Sequence, residues 1–160
     1  MTSTTLKLKD SIMISPSNAI EVLLIEDNPG DVRLISETLK DSKLLLRIRC
    51  AYNGAEALAM LQQQGPHVDR DLPDLILLDL NLPQMSGHEI LRQLKTDDTL
   101  KRIPVVILTS SAAEADIVKA YDLHANCYIT KPVNLNSFIE VVNSIENFWF
   151  TIVKLPTATS

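Results

Sequence analysis

Short apolar runs of strand length alternate along the chain with longer stretches in which apolar residues recur every third or fourth position. That alternation predicts βα units wound around a parallel sheet. The first run is Val22 to Ile25; the turn-forming Asn28, Pro29 and Gly30 follow, and Val32, Ile35 and Leu39 recur at helical spacing. Leu44 to Ala51 reads as a second strand, and Asn53-Gly54 turns into an Ala-rich helix from Ala55 to Gln63 that Gly65-Pro66 breaks. Beyond the polar loop His67 to Asp71, Leu75 to Leu78 is the most continuous apolar run, as a strand buried on both faces requires. This is the expected central strand, with Asp79 at its end. Pro83 and Gly87 mark the next loop, and Ile90, Leu91 and Leu94 give the buried face of a third helix. Val105 to Leu108 ends at Thr109, a fourth helix is expected from about Ala112 to Leu123, and Cys127 to Ile129 is the last strand. A fifth helix begins near the capping residue Asn134, and its apolar pattern continues through Phe138, Val142, Ile145, Trp149 and Ile152 until Pro156.

Five right-handed βα units make a three-layer α/β sandwich, and either common doubly wound strand order binds ligands outside the carboxyl ends of the strands. Those ends carry Glu26 and Asp27, Asp79, Thr109, and Lys131. With 160 residues and 46% hydrophobic content the chain suits one well-buried core. We expect one domain over 19–147, a flexible N-terminal extension over 1–18, and a C-terminal helical extension and tail over 148–160. A net charge of −5 and the absence of a long Lys/Arg run argue against a nucleic-acid surface. No apolar stretch has the length of a signal peptide core or a membrane span, so a cytoplasmic location with no membrane partner is expected. Cys50 and Cys127 lie in apolar runs without metal or redox spacing and read as reduced, buried strand residues.

Three carboxylates meeting in one crevice repel one another, and binding a cation relieves that repulsion. Hard oxygen ligands at a solvent-open edge suit Mg²⁺ together with a phosphate. A carboxylate held there can act as a nucleophile toward phosphorus, giving an acyl phosphate. The equatorial phosphoryl oxygens must then be neutralised from several sides, and the Lys131 ammonium and Thr109 hydroxyl supply two of them.

At these residues the chain resembles the receiver domains of two-component response regulators: Glu26-Asp27, the segment Asp79-Leu80-Asn81-Leu82-Pro83 with Met85 and Gly87, Thr109-Ser110, and Lys131-Pro132. The resemblance spans roughly Ile20 to Ile145 and implies a flavodoxin-like (βα)5 fold with strand order 2-1-3-4-5. It also implies that Asp79 accepts a phosphoryl group from a sensor histidine kinase, and that Asp27 binds Mg²⁺ directly and Glu26 through water. Asn81 would offer its backbone carbonyl to the metal. Thr109 and Tyr128 would act as a switch pair, and Lys131 would pair with the phosphoryl group after a cis Lys-Pro bond. Such a protein signals by conformational change and is not an enzyme beyond Mg-dependent self-phosphorylation and slow self-dephosphorylation.

The segment from Asp122 to Pro132 and the tail Glu146-Asn147-Phe148-Trp149-Phe150 resemble the small response regulators that partner cyanobacterial-type phytochromes, which implies a phytochrome as the kinase. His124 stands where receivers commonly have Gly; it, His67 and His88 fall in unrelated segments and read as surface or turn residues. A haloacid dehalogenase-type phosphatase would also use a strand-end Asp, but it needs a second acid two residues on, where Asn81 stands. A flavodoxin-like cofactor carrier needs a first loop that cradles phosphate, and Glu26, Asp27 and Asp31 would repel one. Leu135, Phe138, Val142 and Ile145 already supply the stripe that covers the sheet. Phe148, Trp149, Phe150 and Ile152 therefore predict a further buried surface, with a two-fold homodimer as the expected form.

Overall fold

The structure, a computed structural model, describes residues 19–65, 71–109 and 127–145. Its strands are β1 (Ile20–Ile25), β2 (Leu46–Ala51), β3 (Leu75–Asp79), β4 (Val105–Thr109) and β5 (Cys127–Thr130). They pair in parallel in the order β2-β1-β3-β4-β5, the order that the resemblance implied. The described helices are α1 (Pro29–Lys40), α2 (Gly54–Leu61), α3 (Gly87–Thr96) and α4 (Leu135–Ser144).

Alternation along the central strands divides the core in two. Leu23 and Ile25 of β1, Ile76 and Leu78 of β3, and Val105 and Ile107 of β4 pack with Ala57, Met60 and Leu61 of α2 and Ile90, Leu91 and Leu94 of α3. The intervening residues Val22, Leu24, Leu75, Leu77, Val106 and Leu108 face the other way, against Ile35 and Leu39 of α1 and Phe138 and Val142 of α4. Because successive strand side chains point to opposite faces, a continuous apolar run is the only pattern that fills both layers.

Each described helix starts on a side-chain cap. Asn28, Asn53, Ser86 and Asn134 accept the backbone N–H of Asp31, Glu56, Glu89 and Ser137, respectively. These caps satisfy N–H groups that the helix leaves without intrahelical partners. They also fix where each chain leaves a strand end and enters a helix.

Several boundaries differ from the sequence expectation. β1 begins at Ile20, which pairs with Leu46, and β2 begins at Leu46 because the Leu44 N–H turns to Ser42 Oγ at 3.0 Å. α1 begins at Pro29 and α2 at Gly54, directly after their caps. A 3₁₀ turn over Leu100–Arg102 had no periodic signature to betray it. It is held by Asp97 Oδ1, which accepts from the N–H groups of Thr99 and Leu100, and by Lys95 Nζ on the carbonyls of Lys101 and Ile103.

The final helix does not run on as its apolar spacing suggested. α4 ends at Ser144, and Ile145 takes extended backbone (φ −76°, ψ 117°) and is buried in the α1–α4 core layer. Cys50 and Cys127, expected buried, are only half-buried, because β2 and β5 are the two edges of the sheet. His88 lies in α3 and is half-buried. The expected fourth helix, Ser110, His67, His124 and the residues Phe148, Trp149, Phe150 and Ile152 fall outside the described residues. Among the described residues, no helix is long and apolar enough to cross a membrane.

Candidate functional site

Parallel pairing brings the carboxyl ends of β1, β3, β4 and β5 to one edge of the sheet. Glu26 directly follows β1, Asp79 closes β3, Thr109 closes β4, and Lys131 directly follows β5. Carboxylate oxygens of Glu26, Asp27 and Asp79 lie within 4.8 Å of one another. Glu26 and Asp79 are almost wholly buried, at 1% and 3% exposure, whereas Asp27 is exposed. Two buried acids and one open to solvent leave a hard-oxygen cradle that a divalent cation can reach, so the residues fit such an ion.

Lys131 is the counter-charge among the described residues of this edge. Its Nζ donates to Glu26 Oε1 at 2.5 Å, to Asp31 Oδ2 at 3.0 Å and to Asp79 Oδ2 at 3.3 Å. The other oxygen of Asp79, Oδ1, accepts the backbone N–H of Asn81 at 3.0 Å. Burial pushes the Glu26 carboxyl up; Lys131 pulls it down and Asp79 pushes it up again, with a net result of about 7 against an ordinary 4.5. Burial works to lower the Lys131 value, but the hydrogen bonds to Glu26 and Asp31 and the charge of Asp79 more than reverse it. The two directions agree physically. One ammonium cannot neutralise four neighbouring acids, so the ammonium keeps its proton while the most deeply buried acid tends to gain one.

The loop after β3 is shaped by glycine. A Cβ on Gly87 would stand 2.5 Å from the Asp79 carbonyl oxygen and 2.6 Å from Leu80 Cα, both main-chain atoms. The Gly87 N–H donates to the Leu80 carbonyl at 3.1 Å, so the start of α3 packs directly onto the backbone that presents Asp79. Gln84 takes a left-handed conformation (φ 65°) in this loop.

Of the residues singled out in the sequence, the structure gathers Glu26, Asp27, Asp79 and Lys131 at the edge, with Asn81 hydrogen-bonded to Asp79. Thr109 is buried at 1% exposure and its carbonyl accepts the Lys131 N–H at 2.8 Å, which ties β4 to the lysine. The Lys131-Pro132 peptide is cis. Tyr128 lies on edge strand β5 with 37% exposure. Cys50 adds nothing nucleophilic, since burial pushes its thiol up to about 11.

Sequence reasoning passed over Asp31 as a Lys131 partner, and it read Gly87 as a loop marker and as part of the family motif, without its contact with the Asp79 backbone. An acid on the first turn of the helix that follows the acidic pair was the available signal for Asp31. No local signal marks the approach of Gly87 to the Asp79 and Leu80 backbone, which lies before it across a loop.

This edge, on this sheet order, is that of a receiver: the response regulator receiver domain profile matches residues 22–143, and the chain belongs to that family. In particular it is similar to the response regulator Rcp1 of Synechocystis sp., 47% identical over 137 residues that cover 86% of this chain and 93% of the relative. Among solved structures it resembles the phosphorylated cyanobacterial phytochrome response regulator RcpA, with TM-score 0.70 and 48% identity over 82% of this chain and 94% of that one. The Mn²⁺-bound form of Rcp1 is similar too, with TM-score 0.68 and 46% identity over 81% and 94% of the two chains.

Proposed function

We propose that this receiver takes a phosphoryl group from the phosphohistidine of a sensor kinase onto Asp79. In that step an Asp79 carboxylate oxygen forms a bond to phosphorus while the phosphorus–nitrogen bond of the donor breaks and its electron pair returns to the imidazole. The observation that supports the reading is the meeting of Glu26, Asp27, Asp79 and Lys131 at one strand edge. Lys131 is the cation for the phosphoryl oxygens, and the Thr109 hydroxyl is the hydrogen-bond donor. The Asn81 N–H already orients one Asp79 oxygen. Glu26, Asp27, Asp79 and the Asn81 carbonyl would hold Mg²⁺, which when bound offsets charge on the phosphoryl oxygens.

The reading extends to partners. The relatives named for phytochrome signalling support a phytochrome as the upstream kinase. Thr109 and Tyr128 form the switch pair that carries the change outward. The receiver occupies 19–147, between segments 1–18 and 148–160, acts in the cytoplasm, and pairs as a homodimer through Phe148, Trp149, Phe150 and Ile152. Self-phosphorylation from small donors and slow self-dephosphorylation are its only chemistry.

Acetyl phosphate with Mg²⁺ tests the core of this. One acid-stable, base-labile phosphoryl group is expected on the wild type and none on Asp79→Asn; labelling of the variant at the wild-type rate rejects the assignment. Sedimentation of the full chain against a truncation ending at Glu146 tests the dimer. A full chain that remains monomeric at high micromolar concentration, with and without a phosphoryl mimic, rejects it.

A further inference from the structure

We propose that Asp31 is a positioning residue that competes with the phosphoryl group for the Lys131 ammonium, so that its charge limits how tightly the edge holds a phosphoryl dianion. The inference rests on Asp79 being the phosphoacceptor and Lys131 its phosphoryl partner.

Asp31 is the third residue of α1, counted from the cap Asn28. An acid there ordinarily has two roles: it favours the positive end of the helix dipole, and it bonds back to the N–H of the cap. Here the second role is taken. The Asn28 N–H donates to Glu26 Oε2 at 3.2 Å, and the Asp31 carboxylate reaches Lys131 Nζ at 3.0 Å instead. That contact is shorter than the 3.3 Å from Lys131 to Asp79.

The pair sits at an accessible place. Asp31 has a side-chain exposure of 36%, and with Lys131 it borders a shallow cleft walled by Leu34, Ile35 and Val133. A donor approaching Asp79 meets an ammonium already engaged by Asp31. For Lys131 to serve a phosphoryl oxygen fully, it must give up part of its bond to Asp31. The uncompensated Asp31 charge then lies one ammonium away from the phosphoryl dianion, and like charges at such separations repel. Asp31→Asn keeps an oxygen that can accept from Lys131 and removes only the charge.

The test is beryllofluoride binding, as a phosphoryl mimic, at Mg²⁺ concentrations that saturate each variant. Asp31→Asn is expected to bind it roughly three- to tenfold more tightly than wild type, the range a single screened charge gives near a surface. The difference should shrink as salt is added, because the pair is partly exposed. Leu34→Ala, one turn along the same cleft, should stay within about twofold of wild type. Asp31→Ser checks the result without an amide. Equal or weaker beryllofluoride binding by both Asp31 variants, with melting temperatures unchanged, overturns the proposal while leaving Asp79 as acceptor. If Asp79→Asn binds the mimic as tightly as wild type, the acceptor assignment falls, and the Asp31 proposal falls with it.

Discussion

Glu26 concentrates the electrostatics of the site in one carboxyl. Burial first, and the neighbouring Asp79 after the opposing pull of Lys131, raise it from an ordinary 4.5 to about 7. Its folded-state value is thus above its unfolded one. The stability that the protonated form contributes is present in full below 4.5 and is lost as pH rises from there through about 7. We expect the melting temperature of the protein without added cation to fall across that window, and Glu26→Gln to abolish the fall. A cation needs the ionised carboxylate, so Mg²⁺ affinity should weaken below about pH 7, by up to about tenfold per unit. Calorimetric isotherms at about pH 8 and about pH 6 check this, and identical isotherms would contradict it.

Gly87 is the other residue on which the site depends. An alanine methyl would have to displace the Asp79 carbonyl or Leu80 Cα, neither of which can rotate away. Gly87→Ala should destabilise the fold by about 1–3 kcal/mol through overpacking. It should slow acetyl phosphate labelling by on the order of a hundredfold, since misplacing a reacting group by about an ångström has that effect. Normal labelling in a folded Gly87→Ala protein would show that the loop relaxes elsewhere.

At the scale of elements, the helix faces decide the energetics. Phe138 of α4 is 1% exposed within the layer formed with α1, whereas Leu34 of α1 is 60% exposed. Phe138→Ala should lower stability by about 3–5 kcal/mol in denaturant titrations, and Leu34→Ala by less than about 0.5 kcal/mol. Both residues are large and apolar, and helical spacing already separates them: Phe138 falls in the stripe with Leu135, Val142 and Ile145, whereas Leu34 lies off the stripe of Val32, Ile35 and Leu39. The strands were legible because burial on both faces leaves a continuous apolar run, as in Leu75 to Leu78. The 3₁₀ turn at Leu100–Arg102 was not, because three residues hold too little periodicity to read. The end of α4 at Ser144 was misjudged for a related reason. Ile145 keeps the helical apolar spacing yet is buried from an extended backbone, and spacing cannot distinguish the two.

For the whole molecule, the sheet order sets long-range relations that no local pattern contains. Cys50 on β2 and Cys127 on β5 occupy opposite edges of the sheet. Four inter-strand spacings amount to about 19 Å, and a disulfide needs Cα atoms within about 7 Å. Mass spectrometry of the native monomer under non-reducing conditions should find both thiols free; a two-proton loss would contradict the sheet order itself. The sequence by itself determined the alternation of strands and helices, the cap at Asn134 and the set of acids, hydroxyl and lysine at strand ends, because apolar periodicity and cap chemistry are written in residues close together along the chain. The tertiary structure decided which of those groups share a charge. Lys131 meets Glu26, Asp31 and Asp79 only because parallel pairing and the return of α1 across the edge bring residues as far apart in sequence as Glu26 and Lys131 within hydrogen-bond reach. The approach of Gly87 to the Asp79 backbone was decided the same way, by packing across a loop, where steric exclusion acts between atoms that the chain order does not place side by side.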